Sequence, residues 1–200
     1  MITSMYSART AILQAYSINQ QSSGFVECGS RPAVSSTHRI ASQYEAGKII
    51  AAVEDQPEPM KDWLLWCYGP PTMAVMRSIQ EGAIAALVDA LNTAGFDVAQ
   101  EMGKHRHAVA VRAQLLLYVH MDNYRALALS GHKKYRKPAH LDKAVRRLSG
   151  GEIGLDLRNY HRDFGVLPGN VDSACGWLDS VTLPTVADAL RSVRQFRGAA

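Results

Sequence analysis

The chain has 200 residues and a mass of 21.9 kDa, which fits one ordinary globular domain or one domain with an extension. Its hydrophobic fraction of 47% and charged fraction of 20% exclude a chain that is disordered throughout. Three widely spaced cysteines exclude a disulfide scaffold and are typical of a reducing compartment. No apolar run approaches the ~18 residues of a membrane span, and the start MITSMYSART lacks the apolar core of a signal peptide. We therefore expect a cytoplasmic protein.

Residues 1–36 are rich in Ser and Gln and show only weak periodicity. Ile12, Ala15 and Tyr16 have the spacing of one or two helical turns, but the run Gln20–Gly24 is typical of a break. We therefore predict a mobile N-terminal arm over residues 1–36, suited to ordering by a partner.

Residues 37–130 are predicted to form a helical body. Its first helix begins near Ser36 or Thr37 and ends near Gln56, because Pro57 and Pro59 disfavour helical geometry just before them. The apolar residues of this helix recur with a helical period, which indicates one buried face.

The segment Asp62–Tyr68 is short and very apolar and is ended by the run Gly69–Pro71. Trp63, Leu64 and Cys67 have helical spacing, so the segment is predicted to be a helix. Its aromatic side chains have the chemistry to stack on bases, but the favoured interpretation is that most of their area lies in the core.

Two longer helices complete the predicted body. Thr72 has the chemistry of an N-cap for a helix that ends at Gly95, and a further helix runs from about Lys104 to Ser130, closed by Gly131. Strand-like alternation of useful length is absent from the sequence. The predicted fold is all-α: a compact multi-helix domain with a helix-turn-helix and a mobile N-terminal arm.

The charge is distributed unevenly along the chain. From Lys104 to Arg147 there are 11 basic and two acidic residues, or +9, whereas the remainder has 11 basic and 16 acidic residues, or −5. Such asymmetry favours a surface that faces a polyanion, with nucleic acid as the leading candidate. The alternative is a solvated cationic helix face followed by a basic loop.

The densest basic run follows Gly131, where four of the five residues from Lys133 to Lys137 are cationic. A loop of this kind suits phosphates, because lysine and arginine neutralise backbone charge and release counterions whatever the base sequence. A short amphipathic helix, Ala139–Leu148, comes next. The predicted phosphate-binding residues of the loop and this helix are Lys133, Lys134, Arg136, Lys137, Lys143, Arg146 and Arg147.

The turn Ser149–Gly151 separates that helix from a second predicted helix, Glu152–Phe164. Two short helices joined by a three-residue turn match the spacing of a helix-turn-helix. Arg158, Asn159 and Arg162 lie near the outer face of the second helix, and these residue types read base edges in the major groove. The alternative is a plain helical hairpin, which is common in all-α proteins.

The third predicted region, residues 131–200, ends with two helices. The first covers Val171–Val181, and the second begins with Thr182 as its cap and Pro184 in its first turn. Three arginines of the last helix form a second cationic strip, which also complements the helix dipole. They are Arg191, Arg194 and Arg197.

Sequence motifs for catalysis are absent: no GxxxxGK[ST], GxGxxG, GxSxG or HExxH occurs in the chain. His105 and His107 stand two residues apart, so they do not share a helix face, and no cysteine pair accompanies them. We therefore expect no enzymatic activity, no metal and no cofactor.

Two segments resemble a known family. The segment Asp62–Pro70, DWLLWCYGP, resembles the "W-aromatic-Tyr-(Ala/Gly)-Pro" stretch of all-helical proteins encoded in phages and prophages. The segment Asn159–Phe164, NYHRDF, resembles their "Asn-Trp-x-Arg-Asp-Trp" helix, with Tyr160 and Phe164 where that motif has tryptophan, and a leucine-rich stretch from Leu178 to Leu190 follows. The chain thus resembles phage late-gene antiterminators of the Q type, and since it lacks the zinc cysteines of the lambda-type proteins, it resembles a zinc-free branch.

The resemblance implies a mechanism. The protein would bind double-stranded DNA near a late promoter, load onto a paused bacterial RNA polymerase in the host cytoplasm, and make it read through terminators. The acidic and apolar remainder and the mobile N-terminal arm would contact the polymerase or its sigma factor. The alternatives are a conventional DNA-binding repressor or activator, a small terminase-like packaging protein, and a helical protein–protein adaptor whose basic strip meets an acidic partner.

Overall fold

The structure is a computed structural model that describes residues 2–23, 36–74, 76–97 and 107–198. These residues form α-helices joined by turns and loops and contain no strand, which confirms the all-α prediction. No helix in the described ranges combines the length and the apolar character needed to cross a membrane. In chain order, the helices are α1 (Ile2–Ser23), α2 (Ser36–Glu54), α3 (Glu58–Tyr68), α4 (Pro71–Ala74), α5 (Arg77–Thr93), α6 (His107–Ser130), α7 (Pro138–Leu148), α8 (Tyr160–Phe164) and α9 (Leu167–Gly198).

The chain divides into two compact units. The first consists of Met1–Gln80 together with Ser180–Ala200, and the second of Glu81–Asp179. The first unit is therefore assembled from both ends of the sequence, while the second is continuous. The predicted division at residue 131 lies inside the second unit.

In the first unit, α1 packs against α2. Ile12 and Tyr16 of α1 are buried, and the Tyr16 hydroxyl donates a hydrogen bond of 2.8 Å to Oε1 of Glu54. Burial and this carboxylate raise the pKa of Tyr16. Residues 2–23 are thus helical, where the sequence predicted a mobile arm. The apolar stripe of α1 is short, but α2 packs against it, and this burial stabilises a helix whose sequence is only weakly periodic. Residues 24–35 of the predicted arm lie outside the described residues, and Ser36 is the first residue of α2.

Helix α3 forms part of the core of the first unit. Pro57 precedes it with extended geometry, and every residue from Trp63 to Tyr68 is buried. The Arg9 guanidinium lies over the Tyr68 ring, 5.5 Å from its centroid. The prediction that the aromatic area of this segment is core is thereby confirmed.

The long helix predicted from Thr72 to Gly95 is interrupted. Thr72 lies inside the short α4, not at a cap, and α5 begins only at Arg77. The predicted end is correct: Gly95 has a φ of 83°, and the Phe96 N–H donates a 2.9 Å hydrogen bond to the Leu91 carbonyl. This left-handed geometry suits glycine and ends the helix in a Schellman motif.

In the second unit, α6 packs against α7 and supplies a buried face that includes Leu116, Val119 and Met121. It ends at Ser130, and Gly131 follows with a φ of 75°, as predicted. The two most N-terminal cations of the basic stretch, Lys104 and Arg106, lie outside the described residues. At its other end, α6 leads directly into the basic loop, which begins at Gly131.

Helix α9 is continuous across the predicted break between Val181 and Thr182. Thr182 is fully buried within it and is not a cap, and Pro184 lies in the helix interior. Proline removes one backbone donor at that point, but the buried residues on either side, Leu183 and Val186 among them, keep the helix in place. The rule that proline prefers the first turn is thus overridden by burial.

Candidate nucleic-acid interface

The basic loop, residues 131–137, is fixed at its centre by one buried side chain. Asn123 of α6 is only 3% exposed. Its Nδ2 donates a 2.9 Å hydrogen bond to the Tyr135 carbonyl, and its Oδ1 accepts a 2.7 Å hydrogen bond from the Tyr135 N–H. The Asn123 side chain thereby satisfies the backbone N–H and carbonyl of Tyr135, which lie outside any helix. The loop has a defined backbone position relative to α6.

A second set of contacts joins α6, the loop and α7. The Lys134 ammonium lies 2.8 Å from Oδ2 of Asp122, and the Tyr135 hydroxyl donates to the same oxygen over 3.2 Å. Arg147 of α7 donates a 2.8 Å hydrogen bond to the Tyr135 hydroxyl. The hydrogen bond to Asp122 raises the pKa of Lys134, so this lysine stays charged.

Lys133 faces α9. Its Nζ lies 2.7 Å from Oδ2 of Asp172. Nearby, His120 of α6 is 6% exposed, and its Nε2 has no hydrogen-bond partner among the described residues. Burial lowers the pKa of His120 to about 4, opposed by the charge of Asp172 and reinforced by that of Lys133. His120 is therefore neutral at pH 7.

Helix α7 presents cations on one face and apolar residues on the other. Leu141, Ala144 and Val145 are buried, whereas Lys143 and Arg147, four residues apart, are exposed on the outer face. The helix begins after Lys137, has Pro138 at its first position and carries no acidic residue in its first turn. Leu148, the last residue of the helix, is exposed.

The ten predicted site residues fall into two classes. Some are bonded to an acidic side chain of the chain itself, at 2.7 to 3.0 Å: Lys133 to Asp172, Lys134 to Asp122, Arg146 to Asp142, Asn159 to Asp156, and Arg162 to Asp163. The others have no acidic partner within the described part of the chain; these are Arg136, Lys137, Lys143, Arg147 and Arg158.

We call Arg136, Lys137, Lys143 and Arg147 the basic surface. All four are exposed and lie on the loop end and the outer face of α7. From Lys137 to Arg147 they extend over roughly 15 Å of helix axis, at 1.5 Å a residue. Four cations that have no carboxylate partner within the described ranges form, in this arrangement, a surface that attracts a polyanion.

The predicted second helix, Glu152–Phe164, is wrong over most of its length. Only Tyr160–Phe164 is helical, and eleven residues separate α7 from it. The three-residue turn of a helix-turn-helix is therefore not present. Tyr160 and Phe164 are buried, whereas Leu157, which has helical spacing with them, is exposed.

Side-chain hydrogen bonds explain why residues 149–159 are not a helix. Ser149 Oγ accepts from the Ile153 N–H over 3.0 Å, and Oδ1 of Asp142 accepts from the Leu155 N–H over 2.6 Å. Asp156 then accepts from the Arg158 N–H and from the Asn159 amide. Such bonds compete with the helical pattern, and the Arg146 guanidinium lies against the backbone at Gly154, so a larger residue there would require the arginine side chain to move.

The residues expected to read base edges consequently have other positions. Arg158 is exposed in the turn before α8. Asn159 lies at the N-cap position of α8, and its amide donates a 2.7 Å hydrogen bond to Asp156, which is the main reason that the pKa of Asp156 is lowered. Arg162 pairs with Asp163. Of the three, Arg158 alone has no side-chain partner within the described ranges.

The second cationic strip, on α9, is only partly available. Arg191 is paired with Asp188 of the same helix, and Arg194 is exposed. The side chain of Arg197 lies outside the described residues. The strip therefore offers one open cation, Arg194, within the part that is described.

Four acidic or amide residues of this region were missed by the sequence analysis as site residues. They are Asp122, Asn123, Asp142 and Asp172. One signal was available for Asn123, a polar residue on the apolar stripe of α6, since a buried amide needs hydrogen-bond partners. A weaker signal was available for Asp142, which stands four residues before Arg146 on the same helix. Asp122 and Asp172 carried no comparable signal, because their pairing with Lys134 and Lys133 depends on tertiary structure.

No three His, Cys, Asp or Glu side chains of the described residues are arranged to bind a metal ion. Cys67 and Cys175 are buried, and burial raises the pKa of the Cys175 thiol. A thiolate is disfavoured there.

Comparison with known proteins gave no match: neither a protein-family model, nor a curated protein, nor a solved structure is similar to this chain.

Proposed function

We propose that the chain binds double-stranded DNA through the basic surface and acts as a transcription regulator. The observation that carries the proposal is the set of four exposed cations on the loop end and one face of α7, next to a loop backbone that Asn123 fixes. Lysine and arginine in such an array neutralise phosphates and release counterions, which supplies most of the affinity for a duplex.

The chemistry of the surface favours a duplex over a single strand. Single-strand sites combine cations with aromatic rings on which bases stack. The aromatic ring of the loop, Tyr135, is half-buried, and its hydroxyl is bonded to Asp122 and Arg147. Contacts would therefore be made chiefly with phosphates. Arg158, which is exposed and has no side-chain partner within the described ranges, would be the candidate for a base contact.

We propose further that the regulation is antitermination by a phage or prophage protein, with bacterial RNA polymerase and its sigma factor as partners. What supports this part is the resemblance of Asp62–Pro70 and Asn159–Phe164 to antiterminators of the Q type. In the fold, both segments contribute buried residues, Trp63 and Tyr160 among them. Their contribution would be to the scaffold, and the basic surface would deliver the protein to DNA.

The DNA-binding proposal is tested by selection from random duplexes near physiological salt, followed by a salt titration of a retained duplex. Four phosphate contacts correspond to a slope of log K against log salt of about −3.6. Lys143→Gln should reduce the magnitude of that slope by about 0.9. Lys48→Gln, which removes an exposed helical lysine from α2 in the first unit, is the matched control and should leave the slope unchanged.

The results separate the alternatives. A slope that Lys143→Gln and Lys48→Gln change equally would contradict the assignment of the basic surface. An enriched motif that is lost in Arg158→Ala would show base reading, whereas binding without a motif would show phosphate contacts alone. Weak binding without enrichment, together with capture of an acidic protein, would favour the adaptor over the regulator.

Antitermination is tested separately by transcription with purified bacterial RNA polymerase through a terminator downstream of a late promoter. Read-through that requires the protein and is lost in Lys143→Gln/Arg147→Gln supports the proposal. DNA binding without read-through, combined with promoter repression or activation, would identify a conventional regulator.

A further inference from the structure

The structure assigns a role to Asp122 and Asp172: we infer that these two carboxylates keep Lys133 and Lys134 out of contact with nucleic acid and so limit the number of phosphates that the loop engages. The inference rests on the proposed function, which it deepens. We call Lys133 and Lys134 the paired lysines.

The paired lysines belong to the same loop as Arg136 and Lys137 but differ in their surroundings. Lys133 lies 2.7 Å from Asp172, with side-chain exposures of 40% and 41%, and Lys134 lies 2.8 Å from Asp122, with exposures of 48% and 27%. Both ammonium groups are thus reachable from solvent while bonded to carboxylates of the neighbouring helices.

The loop cannot shift away from its carboxylates without breaking other bonds. Asp122 is adjacent in sequence to Asn123, whose amide fixes the Tyr135 backbone, and the Tyr135 hydroxyl also donates to Asp122. The contacts between Asn123 and Tyr135 therefore keep Lys134 next to Asp122. A phosphate must displace a pre-formed ion pair to reach either paired lysine, whereas it reaches the basic surface without that exchange.

The first test measures the pairing without any DNA. Amine acetylation by a water-soluble active ester, followed residue by residue with mass spectrometry, should modify Lys133 and Lys134 at least threefold more slowly than Lys137 and Lys143. Asp122→Asn should accelerate acetylation of Lys134, and Asp172→Asn that of Lys133, because the hydrogen-bonded ammonium is the unreactive form. Equal rates for all four lysines in the wild type would overturn the inference.

The second test is a double-mutant cycle on duplex affinity. Asp122→Asn should tighten binding of a random duplex about twofold to fivefold, the range expected for release of an exposed ion pair, and increase the salt slope by about 0.9. Lys134→Gln should have little effect in the wild type but should abolish the gain in Asp122→Asn. A gain that persists in the double variant would contradict a role through Lys134.

Asp89→Asn is the matched control, since it removes an exposed carboxylate from α5 and changes the net charge equally. An equal gain in this control would also refute the inference, because general charge would then suffice. The proposed function fails separately: a wild type without duplex affinity refutes DNA binding, while the acetylation rates still decide whether the two aspartates pair with the lysines.

Discussion

Asn123 bonds to both backbone polar groups of Tyr135, at 2.9 Å and 2.7 Å, so that one buried amide determines where a basic loop lies. The two residues are twelve positions apart, on a helix and in the loop that follows it. The same tyrosine bonds through its hydroxyl to Asp122 and Arg147. The position of the loop cations therefore depends on a residue that carries no charge.

Replacement of that amide should destabilise the fold and disorganise the loop. Asn123→Ala leaves the Tyr135 N–H and carbonyl without their partner, at a cost of about 1–3 kcal/mol in the free energy of unfolding. Urea unfolding followed by circular dichroism measures this loss. Asn159→Ala, which removes a solvent-accessible amide bonded to Asp156, should cost less than about 1 kcal/mol. Equal losses in the two variants would argue against the role assigned to Asn123.

Asp142 should be needed for the irregular segment after α7. Its Oδ1 accepts from the Leu155 N–H, and its Oδ2 accepts from Arg146 Nε over 3.0 Å. Asp142→Ala leaves a half-buried N–H without an acceptor and should lower the free energy of unfolding by about 1–3 kcal/mol. Hydrogen exchange of the Leu155 amide, followed by NMR, should accelerate. Protection that is unchanged from the wild type would show that this bond does not fix the segment.

His120 should make stability fall as the pH is lowered from 7 to 5. Its pKa is about 4 in the folded chain, against an ordinary value of 6.5, because burial disfavours the charged ring. As the pH falls, His120 of the unfolded chain is therefore protonated before His120 of the folded chain. The contribution of His120 to the free energy of unfolding is complete above about pH 6.5 and is lost as the pH falls towards 4. This one group should cost about 2 kcal/mol between pH 7 and pH 5.

The control for the pH prediction is a pair of variants, each followed by urea unfolding at both pH values. His120→Gln should flatten the dependence between pH 7 and pH 5. His140→Gln, at an exposed position of α7, should retain it. A dependence that survives in His120→Gln would assign the effect to other groups.

Two glycines should respond to alanine in opposite directions. Gly47 lies inside α2, and an added Cβ would meet nothing within 4 Å, so Gly47→Ala should stabilise the chain by about 0.5–1 kcal/mol. Gly131 has a φ of 75°, which strains any other residue, so Gly131→Ala should destabilise it by about 1 kcal/mol. Thermal unfolding measures both changes. A Gly131→Ala variant as stable as the wild type would mean that α6 does not require this left-handed end.

Most helices could be predicted because local signals agree with burial. Proline before α3 and glycine after α5 mark boundaries that the structure retains. Most of helix α1 was missed because its periodicity is weak and its buried residues, Ile12 and Tyr16 among them, are covered only by tertiary contact with α2 and α3. The interior Pro184 was misplaced because a rule about first turns carries no information on burial.

The failed helix over Glu152–Phe164 shows why periodicity alone misleads. Ile153, Leu157, Tyr160 and Phe164 have helical spacing in sequence, yet the turn is set by hydrogen bonds to Asp142 and Ser149. Those bonds form only once α7 is in place, so they cannot be read from the segment itself.

The cations of the candidate site could be located from sequence, but their partners could not. Lys133 and Asp172 are 39 residues apart, and Lys134 and Asp122 are 12 apart. From charge composition alone, Lys133 and Lys134 were predicted to be available for phosphate binding. The structure separates the basic surface from the paired lysines, which a sum of charges cannot do.

The division of the chain has a consequence for its synthesis on the ribosome. Residues 81–179 form a unit whose whole sequence is made in one stretch, whereas the first unit also needs Ser180–Ala200. The unit that begins first is therefore completed last, after the C-terminal part of α9, with its buried Leu183, Val186 and Val193, has been translated. A nascent chain that stops at residue 179 would contain the complete basic surface but an N-terminal unit whose apolar residues lack their final cover.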